Sequence, residues 1–359
     1  MNTFVHQNIF TKMKKHNLFK FILLAFLIIA CSDAKKLFTI NKKQLKANYK
    51  STETVILEID NPSNNIIDSV LYTINNVKVA NSKANKPVSI LLKNQKLGIQ
   101  NIAANIYYEG KIETDSTTIE IISDVNPKAI SFEIVNIFKH DSLSFTEGLE
   151  FYKDTLYEST GLKNLSYIRK YDYKTAKVYK QIDVEKQYFG EGITLLKNKM
   201  YHLTWQDKTG FIYDAGSFKK LKSFTYDKPI EGWGMTNDGE NIYQTDGTEK
   251  IWKMNPDTQK MIDFQNVYAG AAKIDSLNEL ELINNKLFAN IWQKDAIAII
   301  NPATGKVEGI LNLAELRKKI KNKSAEVLNG IAYNPKTKTV FITGKNWDSL
   351  FEIRIIGLD

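Results

Sequence analysis

One cysteine in 359 residues excludes a disulfide within the chain, and with it the small disulfide-stapled scaffolds. Histidine is nearly as scarce. His6 and His16 precede Cys31, which leaves His140 and His202 scattered and without a cysteine neighbour, a pattern that argues against a zinc site. No Walker loop, GxSxG elbow or GxGxxG after a strand occurs. The formal charge of +9 includes Lys12, Lys14, Lys15 and Lys20 ahead of Cys31, where there is no acid, so the remainder is only mildly basic. No basic stripe interleaved with aromatics is present, so nucleic acid is not an expected partner. The run Arg317, Lys318, Lys319, Lys321 and Lys323 overlaps LAELRKKI and reads as the solvated face of a short helix.

The one long apolar run, FILLAFLIIA, is too short for a comfortable membrane span. It follows the basic stretch MKKHNLFK from Met13 and ends in Ile28-Ile29-Ala30-Cys31, which resembles a bacterial lipobox. The expectation is a lipoprotein signal peptide over residues 1–30, lipidation of Cys31, and export with a lipid anchor in a bacterial membrane, on the periplasmic or cell-surface face. Residues 31–50, polar and lysine-rich, read as a tether.

From residue 51 to 125 the chain shows short alternating strands, TVILEID, SVLYTINN, PVSILL, QNIAANIYYEG and STTIEIIS, separated by Asn, Ser, Gly and Pro. That pattern suits a small immunoglobulin-like β-sandwich. Asp124 to Lys128 reads as a linker. Beyond it a repeat appears in TLYESTG, KMYHLTW, NIYQTDG, KLFANIW and TVFITGK, whose aromatics Tyr157, Tyr201, Tyr243, Phe288 and Phe341 are 44, 42, 45 and 53 residues apart. Periods near 40 to 45, each built of several strands, predict a five-bladed β-propeller over residues 129–359. The fifth unit is one strand short, and SFEIVNI, residues 131–137, can supply it.

Ten residues before the aligned aromatic stand Glu147, Glu191, Trp233 and Asn278, with Asn329 in the longer fifth unit; four residues after it stand Gly161, Trp205, Gly247, Trp292 and Lys345. In an antiparallel hairpin these two positions share one rim, so if the first strand is innermost they ring one mouth of the central channel. Singly, each has a bland reading: a strand-end indole as core, a glutamate or lysine as solvated charge. A purely structural repeat, however, places the same small or apolar residue in every blade, whereas here the type changes each time.

FTEGL (145–149), FGEGIT (189–194), GWGMTNDG (232–239), LNELELINNKLFANIW (277–292), LNGIAY (328–333) and TGKNWDSLFEI (343–353) resemble the glutamine cyclotransferase family, over about residues 131–356. The resemblance implies a five-bladed propeller that converts N-terminal glutamine of peptides to pyroglutamate with release of ammonia, without zinc or another cofactor. It implies Glu191 as general acid and base, with Asn278, Trp233, Trp292 and Lys345 at substrate-pocket positions and Phe145, Phe189 and Trp205 as supporting aromatics. The family commonly has glutamine where this chain has Glu147. For the reaction the resemblance implies, Asn278 and Lys345 are the available oxyanion donors and Trp233 and Trp292 could form a slot that folds the side chain back, while Glu147 and Asn329 complete the ring. Two other readings stay open: a calcium-binding lactonase-type propeller, against which the indoles and Lys345 argue, and a non-catalytic surface module that binds peptides.

Overall fold

Residues 36–357 are described by a computed structural model. Phe38 opens a unit that takes in the rest of the described residues. The alternation in Ser69–Ile74 buries Val70, Tyr72 and Ile74 on one face. This strand lies in a five-stranded sheet ordered Asn48–Lys50, Lys111–Ile122, Gly98–Tyr108, Ser69–Ile74, Val77–Lys83, the first pair parallel. Two short pairs, Thr54–Leu57 with Val88–Leu91 and Thr39–Ile40 with Ile59–Asp60, complete its core. The expected tether is therefore shorter than residues 31–50. Phe38, Ile40 and Tyr49 are buried among its lysines, and the Ile40 N–H donates to Asp115 Oδ2 at 2.9 Å, so the segment joins the fold. Val77–Lys83, an edge strand with Val77 exposed and Val79 only partly buried against the core, carries no clear alternation and is not legible in the sequence.

The remainder is built on five larger, mainly antiparallel sheets, with a two-stranded ribbon, Tyr268–Ala269 with Ala272–Lys273, between the third and the fourth. The first strands of the five are β1 (Thr146–Tyr152), β2 (Gly190–Leu196), β3 (Met235–Asn237), β4 (Leu277–Ile283) and β5 (Leu328–Asn334). Each contacts the next and β5 contacts β1, so the five close a cycle, the arrangement of a propeller. Each leads into its second strand by a hairpin. In three of these the two turn residues, Lys153-Asp154, Lys197-Asn198 and Asn284-Asn285, both have positive φ, the geometry that matches strand twist. Every residue of β2 is buried, because both faces pack against neighbouring sheets. Phe132–Lys139 pairs antiparallel with Ser349–Ile355 and supplies the strand the fifth sheet lacks. At that closure His140 bridges Trp347 O (Nδ1, 2.8 Å) and Glu158 Oε1 (Nε2, 3.0 Å). Lys128–Ile130 adds a parallel strand to the edge of the fourth sheet, along Val307–Asn312.

Side chains stitch the first strands together. Glu150 on β1 accepts from the Leu195 N–H (3.1 Å) and Thr194 Oγ1 (2.7 Å) of β2. Glu279 on β4 accepts from the Leu149 N–H of β1 (3.2 Å) and the Ile331 N–H of β5 (2.8 Å). Glu281 accepts from the Tyr333 N–H and Thr236 Oγ1, both at 3.2 Å. Burial pushes the Glu150 carboxyl up to about 8 and raises those of Glu279 and Glu281 well above the ordinary range. A carboxyl with a raised folded-state pKa binds its proton more tightly in the fold than in the unfolded chain, so stability falls as pH rises from about 4.3 through the folded-state value. The melting temperature is therefore expected to fall between pH 5 and pH 9, and Glu150→Gln to flatten that dependence; thermal melts across the range check both.

Candidate active site

The rim positions are set by a repeated irregularity. β1, β2, β4 and β5 each slip register against their second strand, at Glu147, at Glu191-Gly192, at Asn278-Glu279 and at Asn329-Gly330. A bulge leaves a residue unpaired and re-aims its side chain, here at the end of the channel. The glycines beside these positions allow the strands to approach: a Cβ on Gly192 would lie 2.6 Å from Trp233 O.

Nine of the residues singled out above meet at one cavity of about 330 Å³: Phe145, Glu147, Phe189, Glu191, Trp205, Trp233, Asn278, Trp292 and Lys345. Glu147, Glu191, Asn278 and Lys345 are buried, while Trp292 is 40% exposed at the rim. The Lys345 ammonium lies 2.6 Å from Glu147 Oε1 and 4.6 Å from the centre of the Phe145 ring. Burial pushes the Glu147 carboxyl up to about 7, although Lys345 opposes the rise. Glu191 is raised well above the ordinary range, by burial first and then by the charge of Glu147, with Lys345 opposing and Glu231 adding to it. No hydrogen bond from a described residue reaches the Glu191 carboxyl oxygens, and Asn278 Oδ1 is buried without a partner. The cavity thus holds an acid–base group and an amide whose bonding capacity is unspent.

Asn329 sits apart. Its Nδ2 donates to Glu147 Oε2 and to Thr146 O, both at 3.0 Å, so it holds Glu147 from behind and does not line the cavity. Trp233 and Trp292 do not face each other across a slot; their rings meet edge to face, 6.0 Å apart at 88°, and form a corner. Phe189 packs on Trp205 at 5.6 Å and edge-on to Phe145 at 6.0 Å. Cys31 lies outside the described residues. His202 is buried beside Phe211, where burial holds its imidazole down at about 3. Sequence reasoning missed Glu326 and Val327, which line the cavity, and Glu231 behind two of its indoles. None falls in the hairpin frame; the one signal is that Glu231 opens the EGWG segment around Trp233.

A family model for glutamine cyclotransferase matches residues 104–355. The chain belongs to the glutamine cyclotransferase family. The match begins earlier than the resemblance in the motifs, inside strand Gly98–Tyr108. Over 236 residues the chain is 39% identical to a glutaminyl-peptide cyclotransferase of Arabidopsis thaliana, covering 65% of this chain and 73% of that protein. The crystal structure of Myxococcus xanthus glutaminyl cyclase is similar with a TM-score of 0.59 and 28% identity, covering 64% of this chain and 98% of that one.

Gly161, at the end of the second strand of the first sheet, leaves room for the aromatic wall of this family member. A Cβ there would lie 2.4 Å from the Phe189 ring and 2.9 Å from Glu147 Oε1. Gly161→Ala is expected to cost about 1–3 kcal/mol as these groups are pushed aside, measured by urea denaturation; a loss below roughly 0.5 kcal/mol, the usual range for a surface change, would show that the seat is soft.

Proposed function

We propose that this protein is a glutaminyl-peptide cyclotransferase, which closes the N-terminal glutamine of a peptide to pyroglutamate and releases ammonia. The observation that carries the reading is Glu191: a buried carboxyl with no hydrogen bond from a described residue, facing a cavity walled by aromatics beside the unpartnered amide of Asn278. The family match and the named relatives support it. We further read the five sheets as five blades of one ring and the N-terminal sheets as an immunoglobulin-like sandwich.

The chemistry needs no external nucleophile. The α-amine nitrogen attacks the carbon of the side-chain amide, the bond from that carbon to the amide nitrogen breaks, and one proton passes from the attacking to the departing nitrogen. Both reacting groups belong to one residue, so the entropic task is to fold that side chain back, and the corner of Trp233 and Trp292 excludes extended rotamers. Asn278 and Lys345 supply donors for the oxyanion. Glu191 takes the proton from the attacking amine and hands it to the departing amide nitrogen, which leaves as ammonia, and its raised pKa suits both transfers. A calcium site at the same carboxylates is disfavoured, since the Lys345 ammonium already lies against Glu147.

Ammonia release from a glutaminyl dipeptide, assayed with EDTA present, tests the activity; a wild-type protein that releases none ends the reading. Glu191→Gln keeps the shape of the side chain but removes the proton carrier, so kcat should fall roughly 10²- to 10⁴-fold with little change in KM. Glu147→Gln is expected to keep turnover and to move the acidic limb of the pH profile downward, because a negative charge that raises Glu191 is gone. The reverse pattern, with Glu147→Gln inactive and Glu191→Gln active, would exchange the two roles.

We also propose that the chain is exported and anchored through a lipid on Cys31, a reading that rests on the lipobox-like run alone. Cys31→Ser should move the protein out of the membrane fraction or block its processing. Absence of labelled fatty acid on the wild-type chain would sink the idea.

A further inference from the structure

Glu231 stands two residues before Trp233, in the segment that joins the second sheet to the third. Its Oε2 accepts from two indoles at once, Trp205 Nε1 at 2.7 Å and Trp233 Nε1 at 2.9 Å, while Oε1 accepts from Gln206 Nε2 at 3.0 Å. Trp205 follows the second strand of the second sheet and Trp233 leads into the third sheet, so one carboxylate oxygen fixes ring orientation across the junction. The surrounding backbone is pinned as well: the Gly232 N–H donates to Trp205 O at 3.0 Å, and Gln244 Nε2 donates to Glu231 O at 3.3 Å. An indole N–H is a donor only, and a carboxylate is the acceptor that can serve two of them together. Through Trp205 the contact reaches Phe189, and through Trp233 it reaches Trp292.

We propose that Glu231 is a positioning residue for the cyclisation: it locks two indoles from neighbouring sheets into the wall against which the substrate side chain folds. This rests on the cyclotransferase reading above. The same carboxylate carries charge toward Glu191. Burial favours its neutral form, but the hydrogen bonds from Trp233, Gln206 and Trp205 outweigh burial and hold it below the usual range. The charged and titratable groups around Glu191 are Glu147 from β1, Lys345 from the fifth sheet, Tyr226 and Glu231 near the third, and Glu326 at the cavity edge. Of these, Glu231 is the one that also holds the wall.

The two roles separate in two variants. Glu231→Gln keeps an oxygen for the indoles and removes the charge; Glu231→Ala removes both. With indole-¹⁵N tryptophan, resonances assigned by Trp205→Phe and Trp233→Phe should move upfield in Glu231→Ala, and KM should rise roughly 10- to 100-fold while kcat holds, as expected for lost charge-assisted hydrogen bonds. In Glu231→Gln those resonances should stay near their wild-type positions and the acidic limb of kcat/KM should move to lower pH. Should Glu231→Ala fail to fold, Glu231→Asp, which withdraws the carboxylate by one methylene, carries the same two readouts. Unmoved indole resonances, an unchanged KM, or an acidic limb that does not shift in Glu231→Gln would each overturn the proposal. The indole resonances need no turnover, so an inactive wild type would end the cyclotransferase reading and still leave the positioning contact testable.

Discussion

Five first strands arranged in a cycle diverge from one another and cannot share a continuous hydrogen-bond ladder, yet they are buried and their N–H groups need acceptors. The fold depends on how that need is met. Glu150, Glu279 and Glu281 reach from one strand to the backbone of another, and Glu279 alone joins β4 to both β1 and β5. Ser159, Thr245 and Asn329 do the complementary task, donating to Glu191 O, Asn278 O and Thr146 O. An unpaired buried N–H costs about 1–3 kcal/mol, so removing a stitch is more damaging than the modest net value of one hydrogen bond suggests.

The site follows from the same constraint. Four of the strands slip register at the rim, and three of the residues freed there, Glu147, Glu191 and Asn278, face the cavity. Ser159 ties the carbonyl of Glu191, and Thr245 ties that of Asn278, so the backbone behind both groups is fixed while their side chains remain unbonded. A rigid frame carrying unspent polar groups is what electrostatic preorganisation requires.

The repeat was legible because one aromatic recurs in every second strand at nearly constant spacing, and counting from it reached seven of the cavity's residues, with Phe145 and Phe189 added by the family motifs. The count assumed that every side chain at an equivalent position points the same way. Asn329 breaks that assumption, because its amide is held by Glu147 and Thr146. The bulges were hidden, since a slip in register leaves no mark on composition beyond the glycine that follows. Glu231 was hidden too, for it acts through two tryptophans that belong to different hairpins. The first residues of the N-terminal sheets were misread because a few buried aromatics decide the fate of a lysine-rich stretch more than its average polarity does.

The charges in the cavity explain why a second carboxylate is compatible with the chemistry. Glu147 lies against the Lys345 ammonium, which offsets its charge, so Glu191 is the deepest carboxyl without a cation of its own. Ionised, it adds a negative charge that suits an incoming N-terminal ammonium; protonated, it removes that charge from beside a free amine. An α-amine titrates near 7.7–8.0, several units above an ordinary carboxyl. Burial and the charge of Glu147 lift Glu191 toward that range and narrow the gap, which brings proton transfer between them closer to even. In the mechanism proposed above, the carboxylate that binds the ammonium then takes its proton, freeing the nucleophile and becoming the acid that the departing nitrogen needs.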